Sequence, residues 1–103
     1  MVKIVKISKE EANRRLGDVS DEKRFWCHDG KLVKNHGELE KALSDMSDET
    51  FHHHVGQGRN DFSNWVREVV GDNKLANDLS KAKSRIQAGK AVAQRISFLR
   101  SKV

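Results

Sequence analysis

Apolar side chains recur along most of this chain at helical spacing. Leu39, Ala42, Leu43 and Met46 stand at i, i+3, i+4 and i+7, which lines one face of a helix. Phe62, Trp65, Val66 and Val69 repeat the same spacing. Between them, Phe51 and Val55 mark the buried side of a shorter helix. Residues with capping chemistry precede each run: Asn35 with Glu38 three residues on, Ser47 before Asp48 and Glu49, and Asn60 or Asp61. Gly71 is placed to stop the third run. Beyond it, Leu75, Leu79, Ala82 and Ile86 are spaced 4-3-4, and Val92, Ile96, Leu99 and Val103 repeat that spacing. The six-residue step from Ile86 to Val92 would rotate the second stripe by about 100° on an unbroken helix. This predicts either two helices meeting near Ser84–Gly89 or one helix wrapping around its neighbours. In both cases Leu75, Leu79, Ile86, Val92, Ile96 and Leu99 are expected to face inward.

The first third of the chain reads differently. Val2–Ile7 is rich in β-branched residues and predicts a short strand. Ser8 and Glu11 have capping-box spacing, Ala12 and Leu16 give the following helix a narrow apolar side, and Gly17 is expected to end it in the left-handed region. Residues 18–24 read as a polar connection. Phe25–His28 and Lys31–Lys34 flank Asp29-Gly30, the dipeptide that favours a two-residue type I′ turn, so a β-hairpin is expected here. Two short strands do not stand alone. The hairpin must lie on the helices or pair with Val2–Ile7 in a three-stranded sheet. The fold class expected is mostly α with a small β-hairpin (α+β): a compact bundle of four to six short helices. It forms one domain over 1–103, with an arm at 1–24, the hairpin at 25–34 and helices over 35–103.

Composition narrows the class of protein. The chain has 103 residues, 36% hydrophobic and 34% charged, so the core is thin and a net stability of roughly 5–10 kcal/mol is expected. No run approaches the roughly 20 apolar residues of a membrane span, and no secretory signal pattern opens the sequence. A single cysteine, Cys27, precludes an intrachain disulfide, and the expected compartment is the cytoplasm.

Charge is unevenly distributed. The net charge is +5, and residues 74–103 carry eight basic side chains against one acid, Asp78, or +7. Such asymmetry points to an anionic partner. Lys81, Lys83, Lys90, Arg95 and Lys102 are the candidate contacts, expected to lie in water while the apolar quartets pack inward. The cations surround the helix or helices rather than forming one ridge, which weighs against a nucleic-acid groove.

No catalytic signature is present. His52, His53 and His54 are consecutive and point about 100° apart on a helix, whereas a metal-binding pair takes i, i+4 spacing. Asp48–His52 and Glu49–His53 are expected as surface pairs, and His54, beside Phe51 and Val55, as a partly buried imidazole bonded to a backbone carbonyl. Cys27 next to His28 lacks a recognisable third orienting group and reads as a small buried thiol. Gly56-Gln57-Gly58-Arg59 reads as a loop, without the Lys-Ser/Thr of a phosphate-binding loop. Trp65 falls in an apolar stripe and is assigned to the core. Trp26 sits on the hairpin, where one face looks outward. Neither metal nor cofactor is expected.

Phe51-His52-His53-His54-Val55, Asn60-Asp61-Phe62-Ser63-Asn64-Trp65-Val66 and Gly71-Asp72-Asn73-Lys74-Leu75-Ala76 together resemble a small uncharacterised domain family of archaea and bacteria. Its pattern is Phe-x-x-His-Val followed by Asn-Asp-Phe-x-x-Trp-Val, and the resemblance covers about residues 25–86. It implies organisation rather than activity: His54, Asn60, Asp61, Phe62 and Trp65 are expected to act as a structural unit, with His54 bonding across the Gly56–Arg59 loop. The function expected is a small non-enzymatic interaction module whose partner, a protein or a nucleic acid, the sequence does not name. The alternative is a nucleic-acid-binding protein acting through 74–103.

Overall fold

The computed structural model describes residues 7–103; the strand expected over Val2–Ile7 lies, but for Ile7, outside them. Helix α1 (Lys9–Leu16) starts at Ser8, whose hydroxyl accepts the Glu11 N–H. A short 3₁₀ turn (Asp21–Lys23) leads into strands β1 (Phe25–Trp26) and β2 (Leu32–Val33), then α2 (His36–Asp45) and α3 (Asp48–His54). A second hairpin, β3 (Val55–Gly56) and β4 (Arg59–Asn60), precedes α4 (Asp61–Trp65). A π-helical turn (Val66–Val70), α5 (Asn73–Lys81) and α6 (Arg85–Arg100) complete the chain. The described residues thus form a mostly helical α+β fold of six α-helices and two small antiparallel hairpins.

Local chemistry places the helix starts. Asn35, Ser47, Asn60, Asp72 and Ser84 each accept a backbone N–H three residues on, satisfying one of the orphan donors of a first turn. Glu38 reaches back past the cap and accepts the Lys34 N–H, one residue before the donor of the expected capping box. Gly71 ends the π turn at φ 82°, a left-handed conformation that suits glycine. Gly17 does not take that route: it is extended, at φ −75° and ψ 174°. The chain leaves α1 straight, and this carries the Val19 N–H to the Lys34 carbonyl at 2.8 Å.

The first hairpin forms with Phe25 opposite Val33 and Trp26 opposite Leu32. Its turn differs from a type I′ turn. Only Gly30 has positive φ, at 92°. The Gly30 N–H bonds the Cys27 carbonyl, and the Cys27 N–H bonds the Lys31 carbonyl, both at 2.9 Å. The loop is therefore three residues long, with glycine at its left-handed last position. Phe25, Cys27 and Val33 face the core, so the hairpin lies on the helices. The loop expected at Gly56–Arg59 is itself a tight hairpin, with Val55 opposite Asn60 and Gly56 opposite Arg59. Gly58, at φ 68°, makes that turn possible.

The core joins aromatic and aliphatic layers. Phe25 lies between Phe62 and Trp65, with ring centroids at 5.1 and 5.9 Å, and Phe51 stacks on Phe62 at 5.7 Å. Trp65 is 8% exposed, and its indole N–H donates to the Lys23 carbonyl at 2.8 Å. Helix α6 packs mainly along α2, and also on α5 and α1. The third apolar run is buried at Phe62, Trp65, Val66 and Val70, while Val69 is half-buried. The π turn inserts the extra residue that shifts the stripe from Val69 to Val70.

The basic segment is two helices, broken at Ala82–Ser84. The inward position expected for Ile86 is not realised: it is 64% exposed. Helix α6 starts afresh at Ser84, and its buried stripe is Ala88, Val92, Arg95, Ile96 and Leu99. Ile86 stands two residues before Ala88, about 200° round the helix, and so points outward. Val103 is exposed beyond the helix end.

Candidate functional site

Arg95 overturns its expected place in water. It lies in the buried stripe of α6, and its guanidinium donates to both carboxylate oxygens of the fully buried Asp72, through Nε at 2.9 Å and Nη2 at 2.8 Å. A planar fork against a carboxylate is the geometry that lets an arginine enter a core. The second oxygen of Asp72 meets Nε2 of buried His36 at 3.0 Å, and Arg15 of α1 approaches the first at 3.7 Å. Asp72 also caps α5. One carboxylate thus joins α1, α2, α5 and α6. Burial alone would push its carboxyl up, but the hydrogen bonds of His36 and Arg95 and the Arg95 charge outweigh that and hold it well below the usual carboxylate range. Sequence reading missed this cluster, since its members stand 23 and 36 positions from Asp72. The available signal was an arginine in phase with Val92 and Leu99.

Of the residues expected to form a unit around His54, Asp61 and Phe62 meet its ring. Nδ1 of His54 lies 3.0 Å from the Asp61 carboxylate, across the second hairpin, and the ring sits 5.2 Å from Phe62. Asn60 caps α4 and donates its amide to the Leu79 carbonyl at 3.0 Å. Ser63 bonds the Ala76 carbonyl at 2.7 Å, so α4 and α5 are stitched together. The partner expected for His54 is corrected: Nε2 accepts the His28 backbone N–H at 2.9 Å. A backbone N–H can only donate, so the proton sits on Nδ1 and points at Asp61. A carboxylate–histidine pair is present, but the far nitrogen is occupied and cannot take a proton from a substrate.

His53 and His28 stack face to face, with centroids 3.8 Å apart and planes at 16°. This replaces the expected Glu49–His53 pair, and His52 turns its ring edge-on to Phe51 instead of bonding Asp48. Burial, then the neighbouring His28, His54 and Arg59, hold His53 below the ordinary imidazole range. Among the described residues, no three His, Cys, Asp or Glu side chains are placed to hold a metal ion. Cys27 is buried, and that burial raises its thiol pKa.

Of the remaining basic candidates, Lys81, Lys83, Lys90 and Lys102 are exposed. Lys102 lies 5.2 Å over the Phe98 ring. Two further cations of the segment are engaged. Lys74 bonds Asp78 at 2.8 Å, while Arg85 donates to the Leu43 and Ser44 carbonyls at the end of α2 and to Asp48. A groove of about 540 Å³ runs between α1, α5 and α6, past Arg15, Lys74, Asp78, Arg95 and Phe98. Every titratable side chain among these is held in an ion pair.

The largest exposed apolar side chain is Trp26, at 75%, with Leu32 directly across the ladder at 42%. No helix is long and apolar enough to cross a membrane among the described residues. No protein-family model, curated protein or solved structure matches the chain.

Proposed function

We propose that the protein is a small non-enzymatic interaction module whose contact surface is the outer face of the first hairpin. The exposure of Trp26 beside Leu32 carries this reading. An indole left in water opposite a leucine, on a strand pair whose other face is anchored in the core, is the kind of rigid aromatic anchor that dominates protein interfaces. The state of the titratable groups supports a non-catalytic role: the His54 and Asp72 pairs are internally satisfied, and the titratable groove residues are held in ion pairs.

The alternative, nucleic-acid binding through 74–103, draws support from the exposed Lys81, Lys83, Lys90 and Lys102. The withdrawal of Arg95, Arg85 and Lys74 into internal bonds weakens it. Affinity capture with the full chain, Trp26→Ala and Lys83→Gln/Lys90→Gln, each with and without nuclease, separates the two. The first reading expects a partner set lost only in Trp26→Ala and insensitive to nuclease. Loss with nuclease or with the lysine variant would overturn it in favour of the second.

A further inference from the structure

We propose that the turn of the first hairpin is clamped to the end of α3 by a proton-sensitive histidine cluster, and that acidification to about pH 5 releases it while the helical body stays folded. This rests on the geometry around His28 and is independent of what Trp26 contacts.

Two interactions at His28 hold the turn down. Its backbone N–H donates to Nε2 of His54 at 2.9 Å, and its ring stacks on His53 at 3.8 Å. The first requires a neutral His54, and the second requires that the two stacked rings are not both charged. A protonated His54 carries a proton on each nitrogen, so Nε2–H would face the His28 N–H, donor against donor, in a nearly buried site. Protonation of both stacked rings would place two like charges in van der Waals contact.

The surrounding charges set the balance. From the turn, Asp29 lies beside His28. From β4, Arg59 bonds the His53 carbonyl and adds a further positive charge. From the start of α4, Asp61 faces Nδ1 of His54. On α3 itself stand His52 and, one turn before His53, Glu49. Neither Asp61 nor Asp29 supplies an acceptor for the His28 N–H, so the clamp loses that bond once Nε2 of His54 carries a proton. His53, held below the ordinary imidazole range, gives the matching sign: the folded arrangement favours the neutral ring, so the clamp is whole at neutral pH and weakens as pH falls through the ordinary range. Phe25 and Val33 are anchored independently in the aromatic and aliphatic core, so opening is confined to the turn.

Amide hydrogen exchange by NMR on the whole chain tests this. After correction for intrinsic rates, protection of the His28 amide is expected to fall by at least about tenfold between pH 7.5 and 5.0, with Val92 in α6 changing less than about threefold. Undiminished protection of His28 at pH 5, or a parallel loss at Val92, would overturn the proposal. His53→Phe keeps a ring on His28 that cannot be charged. It is expected to move the release to lower pH, and an unmoved midpoint would overturn the cluster as trigger.

Discussion

At the scale of single residues, the chain divides into side chains whose role is local and side chains whose role comes only with the fold. The caps are local: Ser8, Asn35, Ser47 and Asn60 meet an N–H three residues away, so they are legible in sequence. Trp65 is legible because its neighbours repeat at helical spacing. Trp65→Ala is expected to cost about 3–5 kcal/mol, since a buried indole and its bond to Lys23 are lost together, and urea unfolding should show it as a large fall in midpoint. Asp72, His36 and Arg95 are not legible, because nothing in a linear pattern says which distant carboxylate an in-phase arginine will find. Asp72→Ala would strand a buried guanidinium and imidazole, and about 3–5 kcal/mol of destabilisation is expected. The carboxyl of Asp72 titrates below its unfolded value, so its contribution is whole above about pH 4 and is lost as pH falls further. Thermal melts across pH 2–6 should show that fall in the parent and a flatter profile in Asp72→Asn.

At the scale of elements, the sequence pattern located almost every helix and mislaid the phase of two. The stripe of the third run slips at Val69 because a π turn, invisible to a 3.6-residue count, inserts one residue. The stripe of the basic segment restarts at Ser84 because the cap there begins a new helix; Leu75 and Leu79 therefore lie inward as expected, while Ile86 does not. The second hairpin escaped notice because its strands are two residues long and carry no alternation, so the two glycines suggested a loop. Glycines of opposite meaning check these assignments. Gly89 lies inside α6 with open space where a Cβ would stand, so Gly89→Ala is expected to stabilise by about 0.5–1 kcal/mol. Gly71 also has room, but its φ of 82° places the cost in the backbone, and Gly71→Ala is expected to destabilise by about 1–2 kcal/mol. Equal effects of the two substitutions in chemical denaturation would contradict the boundaries drawn for the π turn and α6.

At the scale of the whole molecule, the charge asymmetry read from composition does not survive intact into the surface. Arg95 belongs to the core, Arg85 to the end of α2 and Lys74 to Asp78, so the face that a polyanion would meet is built from Lys81, Lys83, Lys90, Arg100 and Lys102. These are spread over the end of α5, the link, and the length and end of α6. This predicts a sharp difference between substitutions of equal charge. Lys83→Gln with Lys90→Gln should leave the melting temperature nearly unchanged, whereas Arg95→Gln should lower it strongly by leaving Asp72 buried without its fork. A binding assay must therefore exclude Arg95, since its loss would read as a folding defect. With the lysine variants alone, titration of duplex and single-stranded nucleic acid decides the matter. A phosphate-binding face gives affinity that falls log-linearly with salt, in proportion to the phosphates neutralised, and that weakens with each lysine removed. The dispersed arrangement predicts instead no micromolar binding at about 50 mM salt, an outcome that would favour the hairpin face proposed above over the basic helices.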